Sequence, residues 1–263
     1  MKSEILLSIA IPTYNQPIEI EKTIKSLIKQ IDENDIEVLV LDDSDNVKTE
    51  KILKKYENIK YYRGKKVHVD YAELWLMKKA IGKYVWWFGD DVFYPDAIKK
   101  IKEILKFNPD FVWINSNSHK KIKTKNIGCS TWMTGSEVIY EIGDLLIFLS
   151  SLLWKRKLYL SHIHLGNDKI GTCMAPMYPQ IEALSFDGKF YYCDDPLFYS
   201  HKRDFSELWY DPFNVFSKNY FDLLESFYHK TSISKALKQE KKKRGIQILK
   251  GVIFYKYKSQ KFG

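Results

Sequence analysis

No apolar run in this chain approaches the roughly 18–20 residues that a membrane-crossing helix needs. The longest, LLIFLSSLLW (Leu145–Trp154), is too short and ends in KRK. A cleavable signal pattern is also missing, because the N-terminus opens directly into the strand-like LLSIAIP (Leu6–Pro12). A cytoplasmic location is therefore the default expectation. Cysteine is scarce: Cys129, Cys173 and Cys193 are widely spaced and fit neither a metal pattern nor a disulfide framework, which leaves buried free thiols as the expectation. His68, His119, His162, His164, His201 and His229 show no zinc spacing. There is no GxGxxG after a strand and no GxxxxGK[ST], so neither a dinucleotide fold nor a P-loop is expected. Internal repeats and long Gly, Ser or Pro linkers are absent as well.

What remains is ample core material. The 263 residues are 45% hydrophobic, enough for one large domain or one domain with an appendage. The formal charge of +9 suggests nucleic acid until it is located along the chain. Lys230–Gly263 holds eleven Lys or Arg and one Glu, whereas residues 1–229 carry 31 bases against 32 acids. The body is neutral and only the tail is basic.

The runs LLSIAIP and IEVLVL (Ile36–Leu41) are continuous and β-rich, as in strands covered on both faces. Between them Pro17 suits a first helical position, and Ile20, Ile24, Leu27, Ile28 and Ile31 repeat on one face. Further strands are expected at Ile59–Tyr62, Tyr84–Phe88 and Phe111–Asn115, with helices at Val47–Tyr56, Tyr71–Ile81 and from Pro95 onward. Trp86 and Trp87 are expected to pack opposite faces of the sheet. This alternation predicts an α/β domain with a mostly parallel sheet. Beyond Ser116 the pattern blurs: a helix at Gly135–Ile142, an aromatic strand at KFYYCD (Lys189–Asp194), helical character over Pro212–His229, and then the basic tail.

Three polar clusters follow strands: PTYN (Pro12–Asn15), DDSDN (Asp42–Asn46) and GDD (Gly89–Asp91). In an open parallel sheet they emerge along one edge, where ligands of such sheets bind. Adjacent carboxylates repel each other unless a cation intervenes, and oxygen-only ligation suits Mg²⁺ or Mn²⁺. A nucleotide diphosphate held through the metal, with its base near PTYN and DDSDN, is the economical inference. The plainer alternatives are turn formation by Asp42 and Asp43 and helix capping by Asp90 and Asp91.

The blocks SIAIPTYNQ, LVLDDSDN and YVWWFGDDVFYPDAI, in this order over roughly residues 4–110, resemble the opening half of a family 2 glycosyltransferase of the GT-A fold. The likeness is nearest to the branch that makes bacterial surface polysaccharides. It implies a Rossmann-like, mostly parallel central sheet with helices on both faces, followed by a helical, basic C-terminal extension. The corresponding division is 1–208 for the GT-A domain, with 1–115 binding the donor and 116–208 the acceptor, and 209–263 for the extension. The implied reaction is inverting transfer from a nucleotide-diphosphate sugar, UDP first among the choices, to a glycan or lipid-linked acceptor. Donor-nucleotide contacts would fall on Pro12, Thr13, Tyr14, Asn15, Asp42, Asp43 and Asp90, with Asp43 bonding the base. The metal, Mn²⁺ or Mg²⁺, would fall on Asp90, with Asp91 second.

Two features depart from the family pattern. The first acid of a D-x-D would lie two positions before Asp90, where Phe88 stands. The ED-type motif that often supplies the base is also missing from LGNDKIGTCMAPMYPQIEAL (Leu165–Leu184), which leaves Asp168 and Glu182 as candidates. A catalytically idle nucleotide-sugar or glycan-binding module is therefore the alternative reading. A nucleotidyltransferase would carry a glycine-rich basic loop after the first strand, which PTYNQP is not. His201 falls where related enzymes sometimes place a further metal or phosphate contact. The tail reads as a solvated basic end, a nucleic-acid binder or a lipid binder. Its Ile246, Ile248, Leu249, Val252, Ile253, Phe254 and Tyr255 favour an anionic membrane surface, and a peripheral position at the inner face of the cell membrane follows.

Overall fold

The computed structural model describes residues 4–31, 34–116, 129–200 and 210–259, and for 251–259 the backbone alone. His119 and His201 lie outside these residues, as does the expected boundary at 208/209. The chain begins with β1 (Leu7–Thr13), α1 (Pro17–Ile28), β2 (Ile36–Asp42), α2 (Lys48–Leu53), β3 (Ile59–Arg63), α3 (Val69–Lys79) and β4 (Tyr84–Trp87). Next come β5 (Val92–Phe93), α4 (Ala97–Leu105), β6 (Phe111–Ser116), β7 (Thr131–Met133) and α5 (Gly135–Glu141). Two 3-10 turns, Gly143–Ile147 and Leu149–Ser151, lead to β8 (Leu152–Lys155), α6 (Arg156–His162), α7 (His164–Asn167), α8 (Met177–Leu184) and β9 (Phe190–Tyr199). The last described elements are α9 (Pro212–Asn214), α10 (Tyr220–Ser226) and α11 (Thr231–Ser259).

The described strands form one sheet in the order β3-β2-β1-β4-β8-β6-β9-β5, with β7 paired to β9. β3, β2, β1 and β4 are parallel, and β6 and β9 run the same way on the far side of the antiparallel β8. Six of the nine strands thus share a direction, the mostly parallel sheet that the alternating pattern predicts.

Helices cover both faces because the strands are apolar on both. Leu7, Ile9, Ile11, Trp86 and Phe88 pack with Ile20, Ile24 and Leu27 of α1 and with Ile98 and Ile101 of α4. Leu39, Leu41, Trp87, Trp113 and Trp154 pack on the other face with α3, α8 and the C-terminal helices. Trp86 and Trp87 therefore face opposite ways, both fully buried. Pro17 stands in the first turn of α1 with Glu19 beside it, as the preset φ and the helix dipole favour. α4 starts at Ala97 rather than Pro95 because Asp96 adopts φ 63°. α5 opens with a capping box between Thr134 and Glu137.

α11 joins the main core through Ile233, Ala236 and Leu237. Glu240, fully buried, sits where a Cβ on Gly143 would be, 2.4 Å from Oε1, and Gly143 itself takes φ +56°. Lys243 pairs with Glu240 at 2.5 Å, and Arg244 with Asp144 at 2.7 Å. These contacts fix α11 to the turns that precede β8. Of the cysteines only Cys193 is buried; Cys173 is half-buried and Cys129 exposed, which corrects the expectation for those two.

Candidate active site

β2, β1 and β4 are neighbours running in parallel, so the residues that follow them leave the sheet side by side. With strands about 4.8 Å apart, three adjacent C-terminal ends span roughly 10 Å. Thr13 pairs with Asp42 in register, the Asp43 N–H donates to Thr13 O (3.0 Å), and the Phe88 N–H to Ala10 O (2.9 Å). Tyr14, Asp43 and Asp90 thereby open onto the same edge of the sheet.

The first two clusters are cross-linked. Tyr14 Oη and Asn15 Nδ2 both donate to Asp45 Oδ2, at 2.8 and 2.9 Å. Asp45 N–H returns a bond to Asn15 Oδ1 (3.0 Å), and Asn15 N–H donates to Ser44 Oγ (2.8 Å). Asn15 takes φ 53°, a left-handed conformation that asparagine tolerates better than most residues. The bonds from Asn15 and Tyr14, with Lys66 at 3.1 Å, hold the Asp45 carboxyl down at about 2. Asp45 therefore organises the loop pair, a role that the composition of DDSDN alone does not reveal. Tyr14 stays 42% exposed, its ring available beside Lys66.

Asp42 and Asp43 have separate tasks. Asp42, fully buried, accepts from Tyr61 Oη (2.9 Å), Arg63 Nη1 (3.0 Å) and the Ser44 N–H (2.9 Å). Its carboxylate is taken up by β3 and its own turn, which holds the DDSDN turn against the sheet edge. Asp43 is also buried, yet its Oδ1 has no hydrogen-bond partner among the described residues. Burial raises its pKa above the usual 3.8, opposed by the Val67 N–H and reinforced by the charge of Asp42. Thr13 Oγ1 is a second buried polar atom at this edge without a partner among the described residues, and Pro12 beside it is half-buried. Orphaned polar atoms of this kind cost about 1–3 kcal/mol each, so their presence calls for a ligand or water.

The third cluster is held from two sides. Gly89 N–H donates to Ser150 Oγ (2.9 Å), and Asp91 O accepts from Thr23 Oγ1 of α1 (2.7 Å). Asp90 is half-buried and Asp91 buried. The helix-capping alternative fails, because β5 intervenes and α4 begins only after Asp96. Phe88, in the place of a first D-x-D acid, is buried and stacked on Phe93 at 3.7 Å. Among the described residues no group of three or more His, Cys, Asp or Glu forms a complete metal cage. Two hard carboxylates on a turn instead suit Mg²⁺ or Mn²⁺ shared with a diphosphate, the mode in which protein supplies one or two ligands.

The two expected bases lie at the C-terminal ends of α7 and α8. Asp168 is exposed at the end of α7, whose Asn167 leans on Lys78 at the far end of α3. Glu182 lies in the last turn of α8 and is ion-paired with Lys230 at 2.6 Å. Asp168 thus faces solvent, and Glu182 is ion-paired where α8 meets the start of α11.

A family model described as glycosyl transferase family 2 matches residues 8–170. An uncharacterized glycosyltransferase of Rickettsia conorii (strain ATCC VR-613 / Malish 7) is 33% identical over 118 residues, 43% of this chain and 19% of that protein. One from Rickettsia felis (strain ATCC VR-1525 / URRWXCal2) is 35% identical over 124 residues, 45% of this chain and 20% of that protein. The match thus spans about a fifth of the length of these curated relatives. Among solved structures, S. aureus TarS 1-349 in complex with UDP covers 90% of this chain and 69% of its own, with TM-score 0.67 and 16% identity. The mannosyltransferase PcManGT from Pyrobaculum calidifontis, in complex with GDP-Man and Mn²⁺, gives TM-score 0.63 at 14% identity, over 89% of this chain and 68% of its own. At these identities the likeness establishes the fold, a GT-A α/β architecture.

Proposed function

The chain belongs to glycosyl transferase family 2, and from that premise we propose that it transfers a sugar, with inversion, from a nucleotide-diphosphate sugar to a glycan or lipid-linked acceptor. The observation that carries this reading is the convergence of Tyr14, Asp43 and Asp90 on three adjacent strand ends, with Asp43 Oδ1 and Thr13 Oγ1 buried there and without a partner among the described residues. A nucleobase edge presents an N–H and a carbonyl that would satisfy such a pair. The bound UDP of TarS and the bound GDP-Man of PcManGT support a nucleotide donor, and UDP is our first choice here.

In this reading Tyr14 flanks the base, Asp43 accepts its N–H, and Asp45 keeps the Tyr14–Asn15 turn in place. Asp90 and Asp91 would hold the divalent ion, which supplies positive charge against the departing diphosphate. Ser150 and Thr23 fix the backbone on either side of those two acids, so their position is set before substrate arrives. Residues 1–115 form the donor half, 116–208 the acceptor half and 209–263 the extension.

The role in surface-glycan assembly is likewise part of the proposal. Among the described residues no helix is long and apolar enough to cross a membrane. On α11, Ile246 and Leu249 are exposed beside lysines, which supports peripheral contact with an anionic lipid surface at the inner face of the cell membrane.

The second reading, an idle nucleotide-sugar-binding module, is favoured by one observation: Glu182 is committed to Lys230. A thermal-shift panel of UDP, GDP, CMP and dTDP, each with and without Mn²⁺, tests both. Metal-dependent stabilisation by one diphosphate is expected, and nucleotide release from the matching sugar donor separates enzyme from module. No stabilisation by any nucleotide sinks both readings.

A further inference from the structure

β9 does not follow β6 evenly. Ile114 pairs with Cys193 and Ser116 with Phe198, so two steps along β6 answer to five along β9, and residues 194–197 bulge out of the ladder. Bulges re-aim side chains and are over-represented beside active sites. The place of this one is fixed by register. Trp86 of β4 and Val112 of β6 both pair with Leu153 of β8, so Gly89 and Asn115 each stand three residues beyond one line across the sheet. Two strand spacings, roughly 10 Å, separate them. The turn Leu149–Ser151 touches both β4 and β6, and its Ser150 accepts from the Gly89 N–H. The far end of the bulge returns to the same place: Tyr199 pairs with Val92, the residue after Asp91, and the Tyr94 N–H donates to Leu197 O (3.0 Å). The bulge and the turn that bears Asp90 and Asp91 thus flank one stretch of the sheet edge.

The bulge presents one carboxylate in a set position. Asp194, half-buried, accepts from Tyr192 Oη at Oδ1 (2.8 Å), and Asn115 Nδ2 donates to Asp194 O (3.2 Å) and reaches the same Oδ1 (3.5 Å). The Asp194 N–H is fixed as well, by Ser130 Oγ at 3.0 Å. Burial, and next the bond to Asp194, raise the Tyr192 phenol above its ordinary 10, so it keeps its proton and remains a donor. Oδ1 is thereby committed, whereas Oδ2 carries no hydrogen bond or ion pair among the described residues. The neighbouring Asp195 is exposed and lies 3.8 Å from Lys100 of α4. An ionised carboxylate with one oxygen held and the other open accepts hydroxyl hydrogens and repels anions.

Resting on the nucleotide-sugar reading above, we propose that Asp194, set by Tyr192 and Asn115, binds a hydroxyl of the acceptor, and that the acceptor unit seated there is a neutral sugar. The interval between the ends of β4 and β6 leaves room for the donor's sugar beside the Asp90–Asp91 turn, with the acceptor hydroxyl held on the β6 side. A uronic acid or a phosphorylated unit would bring its own negative charge against the same carboxylate. Asn115 and Tyr192 act through Asp194 and are positioning residues; Asp194 is the group that touches the acceptor.

The test is nucleotide release by the full chain with Mn²⁺ from UDP-glucose, UDP-N-acetylglucosamine and GDP-mannose. The acceptors added are methyl β-glucoside, methyl α-mannoside, methyl β-N-acetylglucosaminide and the anionic methyl β-glucuronide. At least one neutral glycoside is expected to accelerate release above the rate in water, and the glucuronide is not. Asp194→Asn should raise the KM of that glycoside about 10–100-fold with a smaller change in kcat. Tyr192→Phe should raise it less, and Asp195→Asn should match wild type. Melting temperature and the UDP·Mn²⁺ thermal shift of each variant show whether the fold and donor site persist; should Asp194→Asn not fold, the KM of Tyr192→Phe decides. A wild-type acceptor KM in the folded Asp194→Asn chain overturns the assignment. So does a wild-type chain that shifts with UDP yet is accelerated by no neutral glycoside, or by the glucuronide as strongly. A wild-type chain that binds no nucleotide overturns the function proposed above.

Discussion

Gly64 and Asp43 occupy one space: a Cβ built on Gly64 would lie 1.5 Å from Asp43 Oδ1 and 2.7 Å from its Cγ. The Gly64 N–H also bonds Asp42 O at 2.8 Å, so the backbone cannot simply retreat. Gly64→Ala is therefore expected to turn the Asp43 carboxylate out of place and weaken UDP binding as much as Asp43→Ala does. Calorimetric titration of both variants checks this. Wild-type affinity in Gly64→Ala contradicts the placement of Asp43.

Asp43 also gives a dependence on pH. Its folded-state pKa lies above 3.8, so its contribution to stability is present below 3.8 and lost as pH rises through the folded value. At pH 7 Asp43→Asn should then raise the melting temperature of the unliganded chain while weakening UDP binding. In the wild type, binding should decline on acidification at a pH above that of an ordinary aspartate. A lower melting temperature in Asp43→Asn is the opposing result.

Asp42 is a different case, because three donors converge on its buried carboxylate. Asp42→Ala leaves the Tyr61 hydroxyl and the Ser44 N–H without their acceptor and Arg63 without its partner. A loss of about 2–4 kcal/mol in urea unfolding is expected.

The C-terminal helix divides into a packed part and an outer part. Cutting after His229 removes the buried Ile233, Ala236 and Leu237, for a loss of roughly 4–6 kcal/mol from apolar burial. Cutting after Gly245 keeps them, together with Glu240 and the Arg244–Asp144 pair. The 1–245 chain should fold like the full chain and lose cosedimentation with vesicles containing phosphatidylserine. Undiminished sedimentation removes the tail as the anchor.

The first half of the chain was legible because its polar clusters follow its strands. LLSIAIP and IEVLVL announce buried strands, and the polar residues just beyond them have no apolar competitor for the sheet edge. The second half hid its topology: β8 starts inside the largely apolar LLIFLSSLLW and ends at Lys155, and no alternation there distinguishes strand from turn. β5 and β7, with two and three residues, carry too little pattern to read. Ser150 is brought to Gly89 by the turn before β8. No spacing in the chain records that approach. Asp168 and Glu182 were chosen by position in the sequence, which records neither the exposure of the first nor the Lys230 partner of the second.

The central claim is that Tyr14, Asp43, Asp90 and Asp91 line one crevice for a sugar nucleotide and its metal. Calorimetric titration of UDP, with and without Mn²⁺, into wild type, Asp43→Ala and Asp91→Ala tests it most directly. The account predicts Mn²⁺-enhanced binding in wild type, binding weakened about tenfold or more in Asp43→Ala, and loss of the Mn²⁺ enhancement in Asp91→Ala. Equal UDP affinity in all three chains, indifferent to Mn²⁺, contradicts it.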